Sequence, residues 1–288
     1  MLCPVTGLPA KYLFTAKDNR GLPGEYDYYI SPSGLVFISE IPADLSDHYL
    51  GGYQMIPSSE QELAEMALSE DYRLDQIGRW VSMGRYLEIG PWIGLTAYSA
   101  LRRGYDVHTL EIDQACVDLM RRVGIKAMQT SDPAKTLSNL TEKFDVIAMW
   151  HSIEHMPRPW EVVAEAAKAL APDGVLLIAA PNPESAQFRL LGKYWYHLDA
   201  PRHLYFLPAS MISDIGRKNG LNTVEATTDD RLGKIIERDG WNWEIGRHVA
   251  IPGLRRLCKL IARPTLEWCH RQKGAFDGAG FTLVLARR

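Results

Sequence analysis

Residues Phe144 to Asn182 read FDVIAMWHSIEHMPRPWEVVAEAAKALAPDGVLLIAAPN, and this stretch sets the fold class. Val146, Ile147, Ala148 and Met149 form a short apolar run of the kind that makes a strand buried on both faces of a parallel sheet. It ends at Trp150, His151, Glu154 and His155, so polar groups collect at the strand's carboxyl end. In open α/β sheets that edge is where ligands bind. From Trp160 to Leu170 the spacing turns helical, with Val162, Val163, Ala166, Ala167 and Leu170 on one face. Pro159 suits a helix start, and Pro172-Asp173-Gly174 stops the helix before a second apolar strand, Val175 to Ala180.

Working upstream, Arg85 to Gly94 (RYLEIGPWIG) reads as a first strand ending in a glycine turn, followed by a helix from Leu95 to Arg103 that Gly104 closes. The next strand, Asp106 to Leu110, ends at Glu111, about 20 residues after Gly90, the spacing at which a carboxylate receives two ribose hydroxyls. A dinucleotide site prefers GxGxxG, whose close glycines let the backbone approach a pyrophosphate. Here only Gly90 and Gly94 are present, and the wider turn fits a nucleoside with a short amino-acid tail better than NAD.

Bulk properties narrow the choice further. A chain of 288 residues holds one large α/β domain with a small appendage. The formal charge of −3 gives no whole-chain reason to expect nucleic acid as a partner. Cys3, Cys116, Cys258 and Cys269 show no close pairing and read as free thiols. No run approaches the roughly 18 apolar residues of a membrane span, so the expectation is a cytoplasmic protein without integral membrane association.

The ordered blocks resemble the class I S-adenosylmethionine-dependent methyltransferases, in particular the small-molecule group with EH and D-x-PRHL motifs. The resemblance spans about two thirds of the chain, and it continues into Tyr194 to Phe206, where Asp199-Ala200-Pro201-Arg202-His203-Leu204 matches D-x-PRHL. It implies a Rossmann-like, seven-stranded, mostly parallel sheet with helices on both faces, an N-terminal appendage and a helical cap before the last strand, which runs antiparallel in that fold. The expected segments are 1–54 for the appendage, 55–230 for the cofactor-binding core, 231–280 for the cap and 281–288 for the last strand.

The resemblance further implies S-adenosylmethionine as cofactor, with Glu88, Gly90 and Gly94 beside its methionine portion, Glu111 on the ribose, Asp132 near the adenine edge and Trp150 lining the pocket. For Asp132, which precedes Pro133, a helix cap is the competing reading. The family's loop usually reads GxGxG, and here Trp92 replaces the middle glycine. Two outcomes follow: the indole packs outward on the fold, which is the expectation, or it faces the sulfonium in a cation–π contact of about 1 to 2 kcal/mol. On the acceptor side stand Glu154, His155 and His203, with His151 and His197 as further histidine candidates. A histidine with a pKa near neutrality suits proton removal from a hydroxyl, which favours oxygen over carbon or nitrogen as the methylated atom of a small molecule. The rival reading is a binding module of the same fold without catalysis. His151-Ser152-Ile153-Glu154-His155 superficially matches HExxH, but its glutamate adjoins the second histidine, so no metal is expected there.

The ends of the chain differ in texture. Relatives of this group often carry an N-terminal zinc ribbon with two CxxCG knuckles; here the corresponding positions hold Cys3, Thr6, Ile30 and Ser33, and one thiolate cannot hold tetrahedral zinc. The expectation is a metal-free remnant shaped by Tyr12, Phe14, Tyr28, Tyr29, Val36 and Phe37. Tyr49 and Tyr53 read either as a lid or as packing aromatics, and Ser59 to Val81 reads as helix with Leu63, Met66, Ile77 and Trp80 inward. The basic segment Arg247 to Lys273 carries an apolar stripe at Leu254, Leu257, Cys258 and Ile261, and its readings are a cleft cover, a homodimer seam or an anionic surface contact.

Overall fold

A computed structural model describes residues 1–18, 21–45, 48, 56–248, 254, 257 and 276–287, the side chains of 247 and 248 excepted. The proposed lid residues Tyr49 and Tyr53 and most of the basic 247–273 segment lie outside these residues, and the described Leu254 and Leu257 are exposed. Among the described residues no helix is long and apolar enough to cross a membrane.

The elements in chain order are β1 (Lys11–Lys17), β2 (Glu25–Ile30), β3 (Val36–Ile38), α1 (Glu60–Ala67), α2 (Asp71–Gly78), β4 (Arg85–Ile89), α3 (Leu95–Arg102) and β5 (Asp106–Glu111). There follow α4 (Gln114–Arg122), β6 (Lys126–Gln129), α5 (Pro133–Asn139), β7 (Phe144–Trp150), α6 (Pro159–Ala169), β8 (Leu170–Pro181) and α7 (Ala186–Leu191). The chain closes with β9 (Tyr205–Phe206), α8 (Ala209–Lys218), β10 (Asn222–Thr227), α9 (Arg231–His248) and β11 (Gly280–Ala286). It divides into two compact units, one of Met1–Ala43, Ala180–Ala209 and Ala226–Thr282, the other of Asp44–Ala179, Ser210–Glu225 and Leu283–Arg288.

The second unit is centred on a seven-stranded sheet of order β10-β11-β8-β7-β4-β5-β6. The pairs β4 with β5, β4 with β7, β5 with β6 and β7 with β8 are parallel. The order turns back on itself beside β4, the strand from which the chain runs to β5 on one side while β7 pairs on the other, and such a reversal opens a crevice at the strands' carboxyl ends. Apolar runs fix the core: Val146, Ile147 and Ala148 of β7 and Leu176, Leu177 and Ile178 of β8 are all buried. The expected single helix over 59–81 is broken into α1, a 3₁₀ turn at Leu68–Glu70, and α2. Its buried face is Leu63, Ala67, Leu74 and Ile77, whereas Met66 and Trp80 are only half-buried.

The first unit contains a four-stranded sheet of order β1-β2-β3-β9, antiparallel throughout. Its fourth strand comes from the PRHL segment, with Val36 opposite Phe206 and Phe37 opposite Tyr205. Tyr28, Val36 and Phe37 are buried as expected, while Tyr12 lies on the outside. The knuckle at Cys3 keeps a tight turn in which Gly7 N–H donates to the Cys3 carbonyl at 2.9 Å. Burial raises the Cys3 thiol, and hydrogen bonds involving Thr6 and Ser31 outweigh that effect, so its pKa lies below the ordinary value. Within α9, Glu237 accepts from Trp241 Nε1 and from the Ala279 backbone N–H, both at 2.8 Å, tying this helix to the start of β11.

Candidate functional site at the sheet edge

The carboxyl ends of β4, β5 and β7 carry the residues singled out by the sequence. The β4 turn is built on left-handed backbone, with φ of 70° at Gly90, 55° at Trp92 and 76° at Gly94. Gly90 is required for space as well as for its φ, since a Cβ there would lie 2.7 Å from Ser152 Cβ. Ser152 in turn donates its hydroxyl to the Ile89 carbonyl at 2.6 Å, stitching the turn after β7 to the end of β4. At Gly94 a Cβ would meet Met120 Sδ at 2.7 Å. Trp92 adopts a left-handed backbone that glycine takes up at least cost. Its side chain is half-buried.

Glu111 closes β5 and is buried. Its Oε2 accepts the Trp92 backbone N–H at 2.8 Å, and Oε1 accepts those of Ile112 and Asp113 at 2.8 and 3.0 Å. Burial pushes this carboxyl up, with the backbone N–H bonds opposing. Of roughly four lone-pair sites on a carboxylate, three are thus engaged, leaving one that faces no backbone donor.

Glu88, within β4, is also buried, and burial raises it to about 7 against the opposing Arg73 guanidinium and the hydroxyl of Tyr86. Tyr86 donates to Glu88 Oε2 at 3.0 Å and receives a long contact from Trp150 Nε1 at 3.4 Å. Arg73 of α2 sits over the Trp150 ring at 5.0 Å, pairs with Glu70 at 2.9 Å and donates to Thr96 Oγ1 at 3.1 Å. Arg73 and Tyr86 are site residues that the sequence reading missed. The available signal was the Glu70/Arg73 spacing of i, i+3 on the shoulder of a buried helix face.

Asp132 caps α5, its Oδ1 accepting Lys135 N–H at 3.1 Å and its Oδ2 accepting from Arg158 at 2.6 Å. Of its two readings, the cap is the one this geometry supplies. Beyond β7, Glu154 and His155 lie in a 3₁₀ turn, Ile153–His155, with Glu154 buried and His155 half-buried. His151 has left-handed backbone with φ of 51°, and its Nδ1 lies 3.4 Å from Glu154 Oε1.

His203 belongs to the other unit. Its Nδ1 lies 2.7 Å from the His197 carbonyl, to which it donates, and its own carbonyl accepts the Tyr28 hydroxyl at 3.1 Å. The preceding Arg202 is fully buried between Asp199 and Asp18.

Residues 61–226 match the family model described as a methyltransferase domain, and the chain belongs to this family. The class is that of the class I S-adenosylmethionine-dependent methyltransferases, and the order of the seven-stranded sheet agrees with it. Among individual proteins, the chain is 25% identical over 171 residues to the ubiquinone biosynthesis O-methyltransferase of Cereibacter sphaeroides, covering 56% of this chain and 67% of that one. In fold it is similar to a methyltransferase of Archaeoglobus fulgidus described as dependent on this cofactor, with TM-score 0.50, 16% identity, and coverage of 76% of this chain and 93% of the other. It is likewise similar to a proposed methyltransferase of Bacillus halodurans, with TM-score 0.51, 14% identity, and coverage of 76% and 99%.

Proposed function

We propose that this enzyme moves the methyl group of S-adenosylmethionine onto the hydroxyl oxygen of a small molecule. The observation that carries the reading is the pair of buried carboxylates, Glu88 and Glu111, flanking a left-handed glycine turn at the reversal of strand order. The residues present fit the cofactor in chemistry. Glu111 retains an acceptor for a ribose hydroxyl, Gly90 and Gly94 keep side chains out of the turn, and Arg73 offers a guanidinium suited to an amino-acid carboxylate. Glu88 suits the ammonium group, and Trp150 supplies an apolar wall. When bound, the cofactor supplies an electrophilic methyl on a sulfonium.

The chain's own task is then to hold the acceptor oxygen in line with the methyl carbon and exclude water, since positioning is the main catalytic contribution to a one-step displacement. Glu154 and His155, in the turn after β7, are the residues we place on the acceptor side. Oxygen and a small acceptor are supported by the relatives named for O-methylation in ubiquinone biosynthesis. Calorimetric titration with S-adenosylmethionine and S-adenosylhomocysteine, followed by transfer of labelled methyl to a panel of phenols and catechols, tests the reading. Micromolar binding with transfer to oxygen is expected. Folded protein that binds neither compound would leave a noncatalytic binding module in its place.

A further inference from the structure

We propose that His151 is the base that removes the acceptor's proton, with Glu154 as its orienting carboxylate. This rests on the methyl-transfer reading above and adds a residue to it. Three independent features of the turn after β7 converge on His151.

The first is its backbone. A non-glycine residue at φ of 51° carries about 1 to 3 kcal/mol of strain, and strain of this kind persists where the surroundings over-determine it. Here the His151 N–H donates to the Ala179 carbonyl of β8 at 2.9 Å, pinning the turn to the neighbouring strand.

The second is the carboxylate. Glu154 is 1% exposed, and its Oε1 lies 3.4 Å from His151 Nδ1. In the proposed pair Nδ1 carries the proton and turns it towards Glu154, which leaves the lone pair on Nε2. The arrangement has the same division of labour as other base and orienter pairs.

The third is Nε2 itself, which is buried and has no hydrogen-bond partner among the described residues. An unmet buried polar atom costs about 1 to 3 kcal/mol. His108 shares this feature of an unpartnered Nε2, but it lies mid-strand in β5, on ordinary extended backbone and 3.5 Å from Asp106. Among the described residues, only His151 combines the orphan nitrogen with a strained turn at the carboxyl edge of the sheet, where ligands of this fold class bind. A histidine kept for packing would gain nothing from either cost.

In the step assigned to it, the acceptor's O–H bond breaks and its proton passes to His151 Nε2. The freed oxygen pair forms the new O–CH₃ bond, and the C–S bond breaks with its electron pair passing to sulfur, which becomes a neutral thioether. The imidazolium, held against Glu154, then loses its proton to solvent.

Nitrogen-15 histidine spectra of the cofactor-free protein, with His151 assigned by its absence in His151→Gln, test the pair without any acceptor. The expected result is the Nδ1-protonated neutral tautomer in the wild type, collapsing towards a mixture in Glu154→Gln. An Nε2-protonated ring in the wild type, or a tautomer unmoved by Glu154→Gln, overturns the proposal. With catechol as the probe acceptor, His151→Gln is expected to lower kcat by about 10²- to 10⁴-fold while S-adenosylhomocysteine affinity stays within about twofold. Added imidazole should restore part of the rate in His151→Gly, which also tolerates the left-handed backbone. Unchanged kcat in His151→Gln overturns the assignment, whereas loss of S-adenosylhomocysteine binding by the wild type would instead count against the cofactor reading itself.

Discussion

Glu111 Oε2 accepts the backbone N–H of Trp92 at 2.8 Å, so the β5 acid holds the β4 turn in place before any ligand arrives. The same carboxylate is thereby both a loop anchor and the expected ribose acceptor. Reception of both ribose hydroxyls requires one of its three backbone donors to be released, and the Trp92 N–H, which alone engages Oε2, is the one whose release frees that oxygen.

Glu111→Ala should therefore do two things at once. Loss of charge-assisted bonds worth about 1.5 to 3 kcal/mol each predicts cofactor affinity weakened by at least about tenfold. The cofactor-free protein should also melt earlier, because three backbone donors lose their acceptor. Calorimetry and thermal unfolding read the two effects separately.

At Trp92 the backbone, with φ of 55°, favours glycine, and a β-branched residue there is strained most. Trp92→Gly should leave stability within about 1 kcal/mol, the relief of left-handed strain offsetting lost indole contacts. Trp92→Val should destabilise by clearly more. Chemical denaturation of the three proteins side by side checks the order.

Gly90→Ala meets Ser152 Cβ at 2.7 Å on a left-handed backbone of φ 70°. A loss of about 2 to 3 kcal/mol is expected, combining overpacking with strain. Adding Ser152→Gly should relieve the overlap but lose the Ser152 bond to the Ile89 carbonyl, so the double variant should stay below the wild type in denaturant midpoints.

Glu88 makes the stability of the cofactor-free protein depend on pH. Burial raises its carboxyl from an ordinary 4.5 to about 7, so the folded state binds the proton more tightly than the unfolded chain. The stability it contributes is full below about pH 4.5 and is lost as pH rises through about 7, an effect on the order of 3 kcal/mol at most. Glu88→Gln should flatten the decline between pH 5 and pH 8 in denaturant midpoints.

In the first unit, Arg202 is fully buried, bonded by Nε and Nη2 to Asp199 at 2.9 and 2.6 Å and by Nη1 to Asp18 at 3.2 Å. Arg202→Ala should cost about 3 to 5 kcal/mol by stranding the buried Asp18 and the half-buried Asp199. Arg202→Lys keeps the charge but loses the fork that engages both Asp199 oxygens, so its thermal midpoint should fall between the two.

Much of this was written in the chain. Apolar runs at 146–149 and 175–180 and helical spacing at 162–170 fix strands and helices, and the interval from Gly90 puts Glu111 at the end of the next strand, because each signal is local. The order of the strands, the pairing of β9 with β3, the 3₁₀ break between α1 and α2, and the Arg73–Trp150–Tyr86–Glu88 cluster were decided only by tertiary structure. So was the approach of His151, through a left-handed turn, to Glu154. The physical reason is the same in each case. Periodicity records which face of an element is apolar, but hydrogen bonds, ion pairs and the burial that moves a carboxyl to about 7 depend on groups that sequence separation does not bring together and packing does.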